Sequence, residues 1–217
     1  MSKWKRVEVA IRRGLGLRSG RPPFTGRYYL RARRLLLDAI DILNAAGLPY
    51  TVDAGTLLGI ARQGDLIPWD NDIDMLLPVE QAANLQKLAW RFRLRGWGVS
   101  RLYRMAFRGQ AWNIGDPRVL KIRRRHLMLF GGGNTLLDIT FIYRHGDHYY
   151  WPMAKKVCRA PCEFFAECDL LEYAGRRVRA PHDHERYLEL SYGDWRTPRQ
   201  DFSHDQLGVI VADADDG

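Results

Sequence analysis

The clearest hydrophobic pattern in the chain runs through residues 27–46, where apolar side chains recur with a period close to that of an α-helix. Gly47 and Pro49 follow this segment, and both are typical of a helix C-terminus. The pattern therefore predicts a long amphipathic helix. The apolar positions that define its face are Leu30, Leu36, Leu37, Ile40 and Leu43.

Shorter apolar runs predict strands and further helices. Predicted strands cover residues 50–54, 73–77, 99–107, 118–123 and 135–143. The last of these, TLLDITFIY, continues through RHGD into HYYWPM, which is the pattern of a β-hairpin. Predicted helices cover TLLGIAR, residues 79–95 and residues 182–191. Strands that alternate with helices indicate an α/β (α+β) protein with a mixed sheet flanked by helices.

Composition and charge narrow the class of protein. Hydrophobic residues make up 46% of the 217 residues, enough to build a buried core. The apolar runs fall far short of the roughly 20 residues of a membrane-spanning helix, and no signal peptide is recognisable, so a cytoplasmic location is expected. The net charge of +9 indicates anionic partners such as a nucleotide, a phosphorylated glycan or an anionic membrane.

The first 26 residues differ from the rest of the chain. Trp4, Val7, Ile11 and Leu15 have helical spacing among basic residues, so the segment is a candidate basic helix for the inner face of a membrane. The alternatives are a frayed tail or a helix packed on the domain. The sequence thus divides into a basic segment 1–26, a catalytic domain 27–207 and an acidic tail 208–217.

Three aspartates at alternate positions are the most unusual feature. Asp70, Asp72 and Asp74 precede an apolar run, and alternate residues of an extended strand point to one face. Downstream, Asp138 lies between apolar neighbours of another predicted strand. Like charges on one face are unfavourable without a cation, and hard oxygen ligands suit Mg²⁺ (or Mn²⁺). The interpretation is a metal site formed by Asp72, Asp74 and Asp138.

A phosphate-binding element precedes the aspartates. Gly55 and Thr56 lie at a predicted strand-to-helix junction, where free backbone N–H groups and the helix dipole attract phosphate. Arg62, further along the same helix, is a candidate bidentate phosphate clamp, with a surface ion pair as the alternative. Trp69 either stacks on a base or packs against the sheet, and packing is slightly favoured.

The order of these motifs resembles that of the nucleotidyltransferase superfamily. Gly-Thr at a helix start is followed by Asp-x-Asp and then by a single Asp in a later strand. Residues 53–77, DAGTLLGIARQGDLIPWDNDIDMLL, more closely resemble the LicD family, which includes the fukutin-related proteins. The family motif reads approximately G-T-L-L-G-x-x-R-x-x-x-x-I-P-W-D-x-D-x-D. The likeness resumes at LDITFIY and at RRVRAP…ERYLELSYGDWRTP, and Asn71 replaces an Asp often seen there.

The resemblance implies a nucleotidyltransferase-type fold and a metal-dependent reaction. The expected activity is transfer of a phospho-alcohol, phosphocholine or a polyol phosphate, from a CDP-linked donor to a hydroxyl of a cell-surface glycan or glycolipid such as lipopolysaccharide or teichoic acid. Asp72 and Asp74 would ligate the metal, and Asp70 would be a third ligand or orient them. Asp138 would ligate a metal or accept the proton of the attacking hydroxyl.

Two other functions stay open at this point. A nucleotidyltransferase in the strict sense would move a nucleoside monophosphate from an NTP and release pyrophosphate, whereas the CDP-alcohol reaction releases CMP. A non-catalytic binding module for an anionic surface or nucleic acid is less favoured, because no module of base-stacking aromatics among basic residues is recognisable. Nucleic acid is therefore not expected as a partner.

Several other residues invite an interpretation. Cys158, Cys162 and Cys168 fit small buried thiols better than a zinc site completed by His182 or His184, two histidines expected to face water. The run KIRRRH, residues 121–126, is either a solvated strand edge or an anion-binding patch. Tyr192, Asp194 and Trp195 match the family. A choline cage would draw on aromatic residues, of which the candidates are Tyr103, Trp112, Tyr149, Tyr150 and Trp151.

Overall fold

A computed structural model of the chain describes residues 23–124, 135–153, 156–198 and 206–213. The N-terminal segment 1–22, and with it the candidate membrane helix, lies outside the described residues. Six α-helices occur in the described part: α1 Gly26–Ala45, α2 Ala54–Gln63, α3 Ala82–Lys87, α4 Ala89–Leu94, α5 Glu163–Ala166 and α6 His184–Tyr192. None of the helices in this part is both long enough and apolar enough to cross a membrane.

The described strands form one large mixed sheet and one small hairpin. They are β1 Thr51–Val52, β2 Ile73–Pro78, β3 Trp97–Val99, β4 Tyr103–Arg104, β5 Pro117–Arg124, β6 Thr135–His145, β7 His148–Met153, β8 Lys156–Pro161, β9 Cys168–Tyr173, β10 Arg176–Pro181 and β11 Ile210–Asp213. The large sheet has nine of these strands, and β9 with β10 makes a separate antiparallel pair. The predicted α/β class, a mixed sheet flanked by helices, is confirmed.

Strand β6 is the centre of the large sheet. Its first half pairs parallel with β2 and antiparallel with β5, and its last residues pair antiparallel with β7. The predicted β6–β7 hairpin is confirmed, with Gly146 at φ 61° in the turn and His145 opposite His148. A residue with positive φ in this two-residue turn is what the right-handed twist of the strands requires. β6 therefore carries its residues into the middle of the molecule.

Helix α1 covers the core, as the apolar pattern predicts. Its completely buried residues include Leu35, Leu36, Ile40 and Leu43, and it ends at Ala45, with Ala46 as the C-cap and Gly47 at φ 64°. One predicted core position is wrong, because Leu30 is 61% exposed. Leu30 lies one helical turn before the packed part of the face, where no other element covers it in the described residues.

Other elements differ from the sequence prediction. The helix expected over 79–95 begins as a 3₁₀ turn, Val79–Gln81, and is divided at Leu88. The strand expected over 50–54 stops at Val52, since Asp53 turns into α2. The sequence predicts an acidic tail over residues 208–217. Part of this segment instead extends the sheet, because β11 pairs with β8.

Candidate active site

The floor of the site is a row of charged residues across three neighbouring strands. In the parallel pairing of β2 with β6, Asp74 lies opposite Asp138, and in the antiparallel pairing of β6 with β5, Asp138 lies opposite Lys121. Partners in register project from the same face of a sheet. The order Asp74, Asp138, Lys121 is thus fixed by backbone pairing.

Three carboxylates converge at this row. Asp72, Asp74 and Asp138 are half-buried, and one oxygen from each lies within 4.8 Å of the others. Strand β2 begins at Ile73, so Asp72 precedes the strand by one residue and Asp74 is its second residue. Three hard, negatively charged oxygens at this separation suit a divalent cation such as Mg²⁺, which is usually completed by water and substrate phosphate. The residues present therefore fit the metal site that the sequence predicts.

Lys121 supplies a positive charge to the same group. Its Nζ lies 2.5 Å from Asp138 Oδ2, and both side chains are largely buried. The ammonium also lies 6.0 Å from the ring centroid of Tyr103. The sequence places Lys121 in a basic run and does not by itself reveal this role. The alternation of Lys121 with Leu120 and Ile122, which are buried, indicates that Lys121 projects from the opposite face of the strand.

Asp70 does not extend the row. Its N–H donates to the carbonyl of Ile67 (3.0 Å), which closes a turn before the strand, and its Oδ1 accepts from the N–H of Asn71 (2.7 Å). Its Oδ2 lies against Gly55, where a Cβ would overlap it. Asp70 and Asp72 both precede strand β2, which begins at Ile73 as predicted, so the three aspartates do not project from one strand. Asp70 instead contacts the start of α2.

The start of α2 is held by contacts to β2. The buried hydroxyl of Thr56 accepts the backbone N–H of Asp74 (3.0 Å), and Asp53 N–H donates to the Asp74 carbonyl (3.1 Å). Ala54 has φ 48°, a conformation that costs a non-glycine residue on the order of 1 kcal/mol. Thr56 thus lies behind the site and positions Asp74, whereas Gly55 lines the open side.

A cleft of about 640 Å³ opens above the carboxylates. Its lining includes the predicted residues Gly55, Arg62, Asp70, Asp72, Asp74 and Asp138. It also includes Asp53, Arg104, Arg118 and Met153, for which the sequence predicts no role in the site, together with Lys121 of the basic run and Trp151 of the candidate choline cage. The lining therefore carries charges of both signs: aspartates form an acidic wall, and basic residues from β4 and β5, which include Arg104, Arg118 and Lys121, form a basic wall.

Arg62 reaches the cleft without a complete set of partners. Its Nη1 donates to the carbonyl of Trp195 (3.4 Å), while Nε and Nη2 are buried and have no hydrogen-bond partner among the described residues. Burial lowers the pKa of the guanidinium from its ordinary value. The surface ion pair considered for Arg62 is not found in the described part of the chain. A buried guanidinium with two unused nitrogens is suited to binding an anion.

Two tyrosines of α6 lie near the carboxylates of the site. Tyr187 OH donates to Asp53 Oδ1 at 2.8 Å. Burial raises the pKa of the Asp53 carboxyl, while the Tyr187 hydrogen bond opposes that rise. Burial raises the pKa of Tyr192 well above its ordinary value, and the charges of Asp53, Asp74 and Asp70 add to this. Both phenols therefore stay neutral, Tyr187 as a donor to Asp53 and Tyr192 in the lining of the cleft.

Residues 47–183 match a protein family described as LicD/FKTN/FKRP, nucleotidyltransferase domain, over more than half of the chain. The chain belongs to the LicD/FKTN/FKRP family. This confirms the family recognised from the GTLLG and IPWDNDID segments. The nucleotidyltransferase designation agrees with the predicted fold class.

Curated relatives of this LicD/FKTN/FKRP chain include two named transferases. Mouse "Ribitol 5-phosphate transferase FKRP" is 31% identical over 161 residues, which cover 71% of this chain and 29% of the relative. Human "Ribitol-5-phosphate transferase FKTN" is 26% identical over 172 residues, which cover 77% of this chain and 33% of the relative. The chain therefore spans about a third of the length of these relatives.

A bacterial relative and a solved structure are also similar. Uncharacterized protein RP689 of Rickettsia prowazekii is 24% identical over 176 residues, covering 79% of this chain and 57% of the relative. Among solved structures, ANT(2")-Ia in complex with adenylyl-2"-tobramycin aligns with a TM-score of 0.40 and 20% identity, over 80% of this chain and 82% of the other.

The family-matched residues Tyr192, Asp194 and Trp195 all line the cleft of this LicD/FKTN/FKRP domain. Trp69 is 38% exposed at the cleft, and Arg62 Cζ lies 6.0 Å from its ring centroid, so base stacking and packing both stay predictions for Trp69. Of the aromatic residues considered for a choline cage, only Tyr103 and Trp151 line the cleft.

The cysteines and the basic run have other environments. Only Cys158 of the three cysteines is buried, and the described residues contain no Cys/His group close enough to bind a metal. His184 Nδ1 lies 2.6 Å from Asp169 Oδ2 and His182 Nδ1 lies 3.4 Å from Asp169 Oδ1, so both histidines have an acidic neighbour.

The strand-edge interpretation of residues 121–124 is wrong, because β5 pairs on both sides; residues 125 and 126 lie outside the described residues.

Proposed function

We propose that this protein transfers a phospho-alcohol from a CDP-linked donor to a hydroxyl of a glycan or glycolipid, with Mg²⁺ or Mn²⁺ as cofactor. The observation that carries the proposal is the row Asp74, Asp138, Lys121 beneath a cleft that Asp72 and Arg62 also enter. Similarity to proteins named ribitol 5-phosphate transferases supports the substrate class.

The reaction needs the donor diphosphate to be bound and its charge balanced. Asp72, Asp74 and Asp138 would hold the metal, which supplies charge neutralisation at the phosphate oxygens when bound. The Nε and Nη2 of Arg62 would bind a phosphate oxygen of the donor, and the basic wall with Arg104 and Arg118 would face the rest of the diphosphate. The exposed ring of Trp69 would stack on the cytosine.

Transfer itself is a substitution at phosphorus. The acceptor hydroxyl oxygen forms a bond to the phosphorus that carries the alcohol, and the bond from that phosphorus to the bridging oxygen breaks. CMP leaves with the bonding electron pair, and the hydroxyl proton passes to a carboxylate that faces the cleft. The chain's contribution is to hold donor and acceptor in line and to keep the carboxylates clustered.

We favour a polyol over choline as the transferred alcohol. Six aspartates and four basic residues line the cleft, so its charge does not by itself select or reject a quaternary ammonium. The hydroxyl groups of a polyol can hydrogen-bond to these charged side chains and to Asn71 and Thr197, which also line the cleft. The named activities of the mammalian relatives point the same way.

The test is to incubate the protein with Mg²⁺ and a panel of CDP-alcohols, CDP-ribitol, CDP-glycerol and CDP-choline, and to measure CMP. We expect metal-dependent CMP release with a CDP-polyol and a glycan acceptor. Pyrophosphate release from an NTP would overturn the proposal in favour of nucleoside monophosphate transfer. Binding of nucleic acid with no response to Mg²⁺ or Mn²⁺ would overturn it in favour of a non-catalytic module.

Replacing Lys121 by methionine is expected to strengthen Mn²⁺ binding about tenfold when no donor is present. The ammonium holds Asp138 Oδ2 at 2.5 Å and so competes with a metal for the same carboxylate; one neighbouring unit charge has an effect of about this size on a carboxylate. Isothermal titration with Mn²⁺ measures it, and Lys121→Arg is the charge-keeping control. Equal affinities in the wild type and Lys121→Met would contradict competition.

A further inference from the structure

Three exposed apolar side chains lie on neighbouring helices away from the cleft. Trp90 and Leu94 are 54% and 77% exposed, and they stand four residues apart on α4, on one side of that helix. Leu30 of α1 is 61% exposed. The two helices are joined where Arg34 Nη2 donates to the carbonyl of Arg95 (3.3 Å). Trp90 and Leu94 form an exposed apolar pair on α4, whereas Leu30 borders a small pocket that Gly64 and Ala174 also line. An exposed Trp–Leu pair is an unusual feature for a surface that faces only water.

Basic residues accompany these apolar residues on the same helices. We define the α1–α4 face by the exposed apolar residues Leu30, Trp90 and Leu94 and by the basic residues near them in sequence, Arg27, Arg31, Arg34, Arg91, Arg93, Arg95 and Lys87, the last residue of α3. Residues 82–97 contain no acidic residue. On the adjoining side of α1, Asp38 and Asp41 are engaged by Arg95, at 2.9 and 3.7 Å. The face therefore carries seven Lys or Arg against two Asp, a net charge of +5 from 7 − 2, out of +9 for the whole chain.

The combination of exposed Trp and Leu side chains with arginines favours one kind of binding partner, a lipid surface. Arg91 Cζ lies 5.5 Å from the ring centroid of Trp90, so the guanidinium can stay at headgroup level while the ring enters the interface. A second copy of this face would bring two strongly positive surfaces together. The N-terminal segment 1–22 is itself basic, so it would be repelled as well. Nucleic acid would use the arginines but would gain nothing from two exposed leucines.

We propose that the α1–α4 face docks this domain on an anionic phospholipid bilayer. The inference is independent of the proposed function, because none of these residues lines the cleft. The start of α1 is also joined to the cleft. Just ahead of α1, Phe24 N–H donates to the carbonyl of Asp70 (2.8 Å), and in its first turn Tyr28 OH donates to the carbonyl of Asn71 (3.0 Å). A domain docked through α1 and α4 would therefore hold its cleft at a fixed position relative to the bilayer.

The test is co-sedimentation of the full chain with vesicles of phosphatidylcholine alone and of phosphatidylcholine with phosphatidylglycerol. We expect binding to the anionic vesicles only, weakened by salt. Arg93→Gln should lower the partition coefficient about fivefold, the size expected for one basic residue near an anionic surface. Trp90→Ser and Leu94→Ser should each lower it about tenfold.

Matched controls come from the β9–β10 hairpin. Leu170→Ser removes an apolar side chain that is 51% exposed, and Arg177→Gln removes an exposed charge, so neither should change the partition coefficient. Equal losses in the control and α4 variants would overturn the proposal. The proposal would also be overturned if replacing Lys3, Lys5 and Arg6 abolished vesicle binding while Trp90→Ser and Leu94→Ser left it unchanged, because the N-terminal segment would then be the anchor. Arg93-dependent binding to duplex DNA without binding to vesicles would overturn it in favour of nucleic acid.

Discussion

Asp74→Asn is expected to lower turnover by about 10³-fold or more while leaving the protein folded. Asp74 lies opposite Asp138 in the β2–β6 pairing and shares with it and Asp72 a cluster of oxygens within 4.8 Å. An amide has one fewer charged oxygen for a divalent cation. Losing metal-based charge stabilisation of several kcal/mol corresponds to a rate loss of this size. The same loss is expected for Asp72→Asn, because its carboxylate belongs to the same cluster.

Stability should respond in the opposite sense. Without metal, removing one of three clustered negative charges relieves repulsion, so the free energy of unfolding should be unchanged or slightly higher. CMP release measures turnover, and urea unfolding with and without Mn²⁺ measures stability. Asp147→Asn is the control, because that side chain is 91% exposed and lies outside the cleft. Near-wild-type turnover in Asp74→Asn would remove the basis for the metal site.

Arg62→Met is expected to raise the KM for the donor about 100-fold. The Nε and Nη2 of Arg62 are buried at the cleft with no hydrogen-bond partner in the described residues, and they are suited to a phosphate oxygen. Charge-assisted hydrogen bonds of this kind contribute about 1.5–3 kcal/mol, which corresponds to roughly one to two powers of ten in affinity. Steady-state kinetics with a CDP-alcohol measures the change.

Stability separates this role from a structural one. Burial lowers the pKa of Arg62, which means that the folded protein holds the charge at a cost. Arg62→Met should therefore keep or raise the free energy of unfolding, measured with urea. Arg62→Lys keeps the charge but lacks the planar guanidinium, whose nitrogens can donate two hydrogen bonds to one phosphate. It should therefore recover only part of the donor affinity. Arg186→Met, at a salt bridge with Glu163 on the surface, is the control. A large loss of stability with an unchanged KM would assign Arg62 a packing role.

Local patterns in the sequence were enough for much of the fold. The apolar period of residues 27–46, with Gly47 after it, predicts α1 to within a residue or two. The short turn after TLLDITFIY predicts the β6–β7 hairpin. The GTLLG and IPWDNDID segments identify the family. Each of these signals depends on neighbours within a few positions along the chain, so it can be seen without knowledge of tertiary structure.

Other features depend on contacts between distant segments. The division of a helical pattern at Leu88 and the pairing of β11 with β8 leave weak local signals. The exposure of Leu30 is a further case, because only the packing of other elements decides which end of an apolar stripe is covered. Such choices are set by long-range burial rather than by local propensity.

The sequence by itself determined which carboxylates are candidates for a metal, because residue type and alternation are local properties. Only the tertiary structure decided that Asp70 lies against Gly55 at the cleft, that Thr56 lies behind the site, and that Lys121 lies beside Asp138. The physical reason is strand register. A shift of one residue between β5 and β6 would send Lys121 to the other face of the sheet, and the pairing of two strands far apart in the chain is fixed by the whole core.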